Sequence, residues 1–268
     1  MIEPIYDEPH AAHKVARCRW CDGPFWRAYG FQWLCSNPAC AARCISHAIL
    51  KPLIPTDDST PFLFRPLPLQ VDVEESPVKR LLVHGAAGVS KSFGGRWGLY
   101  KRCRQFKGYR ALLLRCTGDQ LYKNHLQFMP DEAAQLGDAK CFLGTNAPKH
   151  MKFENTSTVY FGYCQHRDDI AQHLGPEWDE VVFEEAVHFM DDAILEISAR
   201  DRGSNSAREA MSKAGLTEGR TRYLTNPGGR AMNLLDDICI KRAPDPKEFP
   251  EYDPRYYGEI KGSVADNP

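Results

Sequence analysis

The sequence predicts an α/β fold with a parallel central sheet, preceded by a small cysteine-rich module. After residue 77, short apolar runs at 81–85, 109–115 and 180–185 alternate with segments of helical period. That alternation is typical of parallel strands with helices covering both faces of the sheet. Before residue 50 there is no long helical period, and half of the ten cysteines fall there. We therefore expect two structural parts of different character.

Length and composition limit the class of protein. The 268 residues are enough for one sizeable core and a small additional module. The hydrophobic fraction of 43% and the charged fraction of 26% are ordinary for a globular protein. No apolar run reaches the length of a membrane span, and the acidic N-terminus is not a signal peptide. We expect a cytoplasmic protein without a membrane partner. The net charge of -1 provides no global attraction to nucleic acid, although a local basic groove is compatible with it.

Composition changes along the chain suggest four segments. Residues 1–50 form the cysteine module, and residues 51–77 form a proline-rich connector that we predict to be extended. Residues 78–240 carry the alternating strands and helices. Residues 241–268 form a tail rich in proline and charge, in which we predict no strand.

A phosphate-binding loop is the first functional motif. The pattern of such a loop is G-x-x-x-x-G-K-[ST], and the matching run here is Gly85, Ala86, Ala87, Gly88, Val89, Ser90, Lys91 and Ser92. Gly85, Lys91 and Ser92 match the pattern, whereas Ser90 replaces its second glycine. Loop N–H groups of this kind bind the phosphates of ATP, Lys91 would reach the β- and γ-phosphates, and the Ser92 hydroxyl would bind Mg²⁺. An ordinary strand–turn–helix connection is the alternative, and the strand before and helix after favour nucleotide binding.

Two carboxylates end a buried strand about 90 residues after the loop. In P-loop ATPases the first acid at this position helps to hold Mg²⁺, and the second activates the attacking water. Here these are Glu184 and Glu185, although the usual first residue is aspartate. Carboxylates also favour helix starts for purely structural reasons, but the loop upstream favours a hydrolytic pair. If Glu185 is not the base, Glu184 or Asp179 is the next candidate.

The clustered cysteines have the spacing of a zinc ribbon. Cys18 and Cys21 form one close pair, and Cys35 and Cys40 form a wider one 13 residues later. Four thiolates on two turns provide a tetrahedral zinc site. Strand-forming aromatic residues lie between the pairs. Free thiols or a disulfide are the alternatives, and spare ligands are available at Cys44 and His47.

From about Phe62 to its last residue the chain resembles the large terminase subunit of tailed bacteriophages. The resemblance combines the loop and acidic strand with the segments LLLRCTGDQL, KFENTSTVYFGY, HLGPEWDEVVFEEAVHF and ISARDRG, the run Leu224-Thr225-Asn226-Pro227-Gly228-Gly229, and the final Asp-Asn-Pro. Their order and spacing together are more specific than any single motif.

The resemblance implies a P-loop ATPase of the additional-strand type that drives double-stranded DNA into a procapsid. It implies a homo-oligomeric ring on the portal protein, a small terminase subunit as partner, and the host cytoplasm as location. By the same resemblance, Gln70 would contact adenine, and Thr225 and Asn226 would sense the γ-phosphate. Since Ala86 and Ala87 stand where many terminases carry a loop arginine, an arginine finger must come from elsewhere, with candidates at Arg115, Arg200 and Arg202.

Two other functions stay open. A helicase-like or remodelling DNA-dependent ATPase would need a second motor lobe, for which the chain is short. A nucleotide-binding regulatory module that does not hydrolyse ATP is supported by Ser90 and Glu184, which depart from the usual motifs. The resemblance stops at the Asp-Asn-Pro element, where a family member would continue into a nuclease domain, so we expect no DNA cleavage by this chain.

Overall fold

The structure of the chain is a computed structural model. It describes residues 68–85, 91–145, 148–214 and 219–262, and the backbone of two strands at 25–28 and 32–35. The chain divides into two compact units, Met1–Ile54 and Pro55–Pro268. Among the described residues, no helix combines the length and the apolar character needed to span a membrane.

The first unit contains an antiparallel hairpin. Strand β1 (Phe25–Ala28) pairs with β2 (Gln32–Cys35), and Phe25 lies opposite Cys35. This hairpin confirms the strands that the aromatic residues between the two cysteine pairs predict.

The second unit contains an eight-stranded sheet. Its strands are β3 (Arg80–Gly85), β4 (Arg110–Arg115), β5 (Ala139–Phe142), β6 (Lys149–Phe153), β7 (Thr158–Tyr163), β8 (Glu180–Glu184), β9 (Arg220–Thr225) and β10 (Tyr257–Gly262). Its helices are α1 (Pro68–Glu75), α2 (Lys91–Gln105), α3 (Gly118–Asn124), α4 (Met129–Leu136), α5 (Arg167–Leu174), α6 (Asp191–Ser198), α7 (Asn205–Lys213) and α8 (Met232–Leu235). Single 3₁₀ turns lie at Leu126–Phe128, Ala186–His188 and Pro254–Tyr256, and a π-helical segment at Asp236–Lys241 follows α8.

The sheet confirms the predicted α/β class. Its order is β10-β3-β9-β8-β4-β7-β6-β5, and only β6 runs against the other strands, so its pairings with β7 and with the edge strand β5 are antiparallel. One additional strand, β9, separates the phosphate-loop strand β3 from the acidic strand β8. The order therefore agrees with the additional-strand type of P-loop fold.

Two apolar cores lie on opposite faces of the sheet. Leu113 and Val182 belong to the core on one face, and Leu112, Leu114 and Phe183 belong to the core on the other. Successive residues of a strand point to opposite faces, so a strand with helices on both sides is apolar at nearly every position. This explains the continuous apolar runs by which the sequence predicts these strands.

The connector prediction is wrong at its C-terminal end. Residues 68–75 form helix α1 instead of an extended segment. Leu69 is buried, and the Glu74 carboxylate is buried between Arg102 and Arg220. The only proline in α1 is Pro68, its first residue, where proline is favoured, and contacts from distant parts of the chain hold the helix in place.

The tail prediction is also wrong, because residues 257–262 form β10. This strand pairs in parallel with β3 along its whole length, so the sheet continues past residue 240. Elements α4, β5 and α7 also have no counterpart in the sequence prediction. The run LYKNHLQFM (121–129) by itself predicts one helix, but that helix is interrupted at His125, whose φ of −134° is not helical.

Candidate functional site

The predicted site residues gather at one edge of the sheet. Strands β3, β9, β8 and β4 are parallel neighbours, so their carboxyl ends lie side by side. Gly85, Thr225, Glu184 and Arg115 end these four strands. Lys91 begins α2 after the loop that leaves β3. In open α/β sheets this edge is where ligands bind.

Asn226 connects the two residues predicted to act on ATP. The Lys91 ammonium donates to Oδ1 of Asn226 at 2.8 Å and lies 3.4 Å from the Gly85 carbonyl. The Asn226 amide donates to Oε1 of Glu185 at 3.2 Å. Burial lowers the pKa of Lys91, while Glu185 and Glu184 act in the opposite direction. The predicted phosphate-binding cation, the predicted coupling residue and the predicted base thus form one hydrogen-bonded chain.

Glu185 has an unusual backbone conformation. Its φ of 53° is in the left-handed region, which non-glycine residues rarely adopt. β8 ends one residue before it, and a 3₁₀ turn follows in which His188 N–H donates to the Glu185 carbonyl at 2.9 Å. Glu184, the last residue of β8, is buried, whereas Glu185, which precedes the turn, is partly exposed. A left-handed non-glycine residue between strand and turn is a strained geometry that clusters at functional sites.

Glu184 is held by two basic side chains. Its Oε2 atom is hydrogen-bonded to Nε2 of His125 and lies 3.4 Å from Nη1 of Arg115. All three side chains are buried. Burial lowers the pKa of His125, although the bond to Glu184 opposes this. The carboxylate therefore has a fixed position at the edge of the sheet.

The protonation of His125 follows from its second neighbour. Nη1 of Arg96 lies 3.0 Å from Nδ1 of His125. Arginine only donates hydrogen bonds, so Nδ1 must accept and Nε2 must carry the proton that is donated to Glu184. Arg96 is itself held by Glu132, with Nη2 2.8 Å from Oε1. Tyr100 donates to the other oxygen of Glu132 at 2.7 Å.

His125 and Arg96 are site residues that the sequence motifs miss. They lie in no recognised pattern, and His125 falls inside a segment predicted to be a regular helix. The contact between His125 and Glu184 joins residues 59 positions apart, and nothing local to either residue indicates it.

The residues present fit a magnesium nucleotide. The hydroxyl of Ser92 lies in the first turn of α2, and both contacts to Glu184 described above use Oε2, which leaves Oε1 for a cation. Hard oxygen ligands of this kind suit Mg²⁺. The loop residues Ala86, Ala87, Gly88, Val89 and Ser90 lie outside the described residues.

Gln70 packs against α2, the helix that follows the predicted phosphate loop. It is buried on α1, and a side chain at Gly94 would come within 2.7 Å of its Cγ atom. Gly94 is three residues after Lys91, so Gln70 lies one turn from the start of α2. This places it next to the predicted nucleotide site, although its contact with adenine stays a prediction.

The three candidate arginines do not lie together. Arg115 is in the site, at the end of β4. The Arg200 carbonyl accepts from Trp178 N–H at 3.0 Å, just before β8 begins, and Arg202 is bonded to the Ala199 carbonyl at 3.2 Å. Arg200 and Arg202 thus lie at the amino end of the strands, away from Glu184. They cannot complete the site of their own chain.

Asp179 is at the same distant edge. Its carboxylate accepts from the N–H of Arg110 at 2.7 Å and from the Ser204 hydroxyl at 2.7 Å. Since it lies before the first residue of β8, it is five residues from Glu184 along an extended strand. The suggestion that Asp179 could replace Glu185 as base is therefore wrong.

Thr225 is buried at the end of β9, and its hydroxyl donates to the carbonyl of Asn226 at 3.0 Å. The structure thus brings Thr225 to the site next to Asn226. Its predicted role in sensing the γ-phosphate stays a prediction.

The zinc prediction falls largely outside the described residues. Of the predicted ligands, only the backbone of Cys35 is described. Outside the described residues lie Cys18, Cys21 and Cys40, together with the spare ligands Cys44 and His47. Within the part of the chain that the structure describes, no group of three or more His, Cys, Asp or Glu side chains could hold a metal. The ribbon stays a prediction.

Comparison with known proteins identifies the fold. No protein family and no curated protein matches the chain. The large terminase of a thermophilic bacteriophage matches 76% of this chain with 13% identity and a TM-score of 0.53. The ATPase domain of the Thermus phage P74-26 large terminase, in a mutant with one arginine replaced by alanine, matches 76% with 14% identity and a TM-score of 0.50. This chain has the fold of large terminase ATPase domains.

The extent of the terminase match limits what it shows. The match covers 47% of the thermophilic phage terminase and 83% of the P74-26 ATPase domain. At 12% identity, and with a TM-score of 0.50, the chain also matches the thermophilic phage terminase in complex with ATP-γ-S. Identities this low show a shared fold, and the activity of this chain must be argued from its own residues.

Proposed function

We propose that this chain is the ATPase portion of a large terminase, which hydrolyses ATP to move double-stranded DNA into a procapsid. The observation that carries the proposal is the hydrogen-bonded chain Lys91–Asn226–Glu185 at the carboxyl edge of a terminase-type sheet. It joins the residue that would bind phosphate to the residue that would activate water. A connection formed by chance between a strand and a helix would not be expected to join these two.

ATP binding would use the loop from Gly85 to Ser92. Lys91 would leave Asn226 for the β- and γ-phosphates, and Ser92 and Glu184 would hold Mg²⁺. When bound, the ion would neutralise charge on the transferred phosphoryl group. Gln70 would contact the adenine from α1. His125 and Arg115 would keep Glu184 in one orientation, so little reorganisation is needed when the ion arrives.

Glu185 would act as the general base. Its carboxylate is partly exposed and close to Lys91, which suits a residue that takes a proton from water beside the γ-phosphate. Asn226 would report the nucleotide state, because Lys91 cannot donate fully to Asn226 and to phosphate at once. Loss of the Lys91–Asn226 hydrogen bond would be transmitted to β9 through Thr225. This would couple hydrolysis to movement.

The candidate arginines would have different roles. Arg115 would supply positive charge within its own site. Arg200 or Arg202, at the far edge of the sheet, could act only on the site of a neighbouring subunit, as in a homo-oligomeric ring on a portal protein. The small terminase subunit, the host cytoplasm and zinc in the cysteine module belong to the same proposal.

A nucleotide-binding module without hydrolysis is the second candidate. Glu184 supports it, because its Oε2 is already occupied by His125 and Arg115. If that carboxylate cannot bind the ion, ATP would bind without turnover. A helicase-like ATPase shares the chemistry of the first proposal and differs in separating the strands of a duplex.

Glu185→Gln tests the hydrolytic proposal. The amide keeps the size and hydrogen bonding of the side chain but cannot accept a proton, so ATP affinity should stay and turnover should fall by about a hundredfold or more. Phosphate release and fluorescent-nucleotide binding measure the two quantities. Glu196→Gln, at an exposed position on α6, is the matched control.

Further outcomes test the residue assignments and distinguish the candidate functions. Turnover at the parental rate in Glu185→Gln would contradict the assignment of the base. No DNA-stimulated turnover in the parent protein, with ATP bound, would support the regulatory module. Lys91→Ala should weaken both binding and turnover. Strand separation of a duplex, without translocation along it, would support the helicase-like alternative.

A further inference from the structure

One face of the eight-stranded sheet carries a row of basic residues on strands β4 to β7. Lys140 lies directly opposite Lys152, Lys152 opposite Thr158, and Thr158 opposite Arg110. Directly paired residues point to the same face of a sheet. Strands β5, β6, β7 and β4 thus present three cations in one line, and we call the part of this face on β5 and β6 the lysine face.

The two lysines of this row oppose each other without a counter-ion. Both Lys140 and Lys152 are exposed. Neither forms an ion pair with any residue in the described ranges. Like charges directly opposite on neighbouring strands destabilise a sheet. The arrangement is unfavourable for the isolated protein and becomes favourable when an anion lies across both strands.

An aromatic row lies beside the basic one. Phe142 lies opposite His150, and His150 lies opposite Tyr160. The Phe142 and His150 rings are stacked with centroids 4.6 Å apart and planes 13° apart. His150 and Tyr160 have centroids 5.6 Å apart. The stacked faces of Phe142 and His150 are therefore not available to a nucleic-acid base.

The lysine face is the side of β5 and β6 opposite the core. Cys141, Met151 and Phe153 on the other face pack in the core with Met129 and Ala133, which belong to α4. Phe142 is 44% exposed. The row is anchored at its inner end, where Tyr160 packs edge-on against Trp178 with centroids 5.5 Å apart.

We propose that the lysine face, formed by Lys140, Phe142, His150 and Lys152, binds the sugar–phosphate backbone of duplex DNA. The lysines match the charge of the phosphates, and neutralising their repulsion adds to the affinity. Single-stranded nucleic acid is bound by stacking its bases on free aromatic faces. Here Phe142 and His150 cover one face of each other, which leaves less ring surface for bases than free aromatic side chains would, so a duplex backbone is the better fit. That the duplex is the cargo of a motor rests on the proposed function, whereas the charge argument does not.

The test uses the full chain and Lys140→Ala/Lys152→Ala. Its affinity for a duplex oligonucleotide should fall on the order of tenfold or more at ~0.1 M salt, and the slope of log affinity against log salt should fall by about 1.8. Single-stranded DNA of the same length should show a much smaller change. Lys213→Ala/Lys247→Ala removes two exposed lysines elsewhere and should match the parent.

A second variant separates binding from folding. Lys140→Glu places opposite charges across the strands, so the thermal midpoint should stay or rise while duplex affinity falls. ATP hydrolysis without DNA should stay at the parental rate in all these variants, because neither lysine is in the nucleotide site.

Duplex affinity and salt slope equal to those of the parent would overturn the inference. A loss confined to single-stranded DNA would overturn it as well. Failure of the proposed function is a separate result: the parent chain would bind duplex through these lysines but show no ATP hydrolysis that depends on Glu185.

Discussion

Glu74 provides a quantitative test of how α1 is held against the nucleotide site. Its carboxylate is 4% exposed, with Oε1 2.5 Å from Nε of Arg102 and Oε2 3.4 Å from Nη2 of Arg220. Burial raises the pKa of Glu74, but Arg102, Arg220 and Lys101 outweigh this and lower it from 4.5 to about 2. The ionised carboxylate is therefore an essential partner of buried cations.

The magnitude follows from the pKa shift. At about 1.4 kcal/mol per pH unit, the fall from 4.5 to about 2 corresponds to roughly 3 kcal/mol of folding free energy. Because the pKa is lower in the folded state, this stability is fully present above pH 4.5. It is lost as the pH falls from there towards 2. Glu74→Gln should thus lower the free energy of unfolding at pH 7 by about 3 kcal/mol or more, since it leaves buried guanidinium groups without a counter-charge.

Urea unfolding followed by circular dichroism at several pH values measures this effect. The difference between Glu74→Gln and the parent should be largest at pH 7 and should shrink below pH 4.5. Other carboxylates titrate in both proteins and cancel in the difference. Glu209→Gln, which removes an exposed ion pair with Lys213, should change stability by less than about 1 kcal/mol.

The reasoning also predicts a functional effect. Gln70 lies one helical turn before Glu74 on α1. Looser docking of α1 on α2 should therefore weaken ATP binding by several-fold at neutral pH. A Glu74→Gln protein as stable as the parent at pH 7, or a difference that is equal at pH 7 and pH 3, would refute the account.

Three further predictions concern other residues. His125→Leu removes the hydrogen-bond donor to buried Glu184, so the free energy of unfolding should fall by about 1–3 kcal/mol. The Mg²⁺ concentration needed for half-maximal turnover should rise, and His125→Gln should partly restore it. An unchanged Mg²⁺ requirement would contradict the positioning role of His125. In Gly85→Ala the new methyl group would overlap the carbonyl oxygen of Gly262 on β10. The thermal midpoint should therefore fall clearly more than in Gly137→Ala, whose methyl group meets no atom within 4 Å. Equal shifts would show that β10 moves away at little cost in stability. Elemental analysis should find about one zinc per chain, and zinc-free protein from zinc-replete medium would argue against the ribbon.

The sequence alone was enough to predict the central strands and the main site residues. Strands β3, β4 and β8 are covered on both faces, and such burial leaves a continuous apolar run in the sequence. The loop before Lys91 and the acids Glu184 and Glu185 follow directly from strand ends. Since the carboxyl ends of parallel strands share one edge, the motif order implies their proximity. The roles of Thr225 and Asn226 were implied by the resemblance to large terminases, and the strand that ends at Thr225 brings both residues to the same edge.

Only the tertiary structure decided which residues surround that site. Arg220 reaches Glu74 across 146 positions of sequence, and this ion pair helps to hold α1 against the rest of the fold. β10 forms because the edge of β3 has unpaired hydrogen-bonding groups, although its own residues have no strand pattern. His125 reaches Glu184 only after the chain folds back at the end of α3. Periodicity and motifs record local geometry, whereas buried ion pairs and edge pairing depend on which distant segments the folded sheet brings into contact.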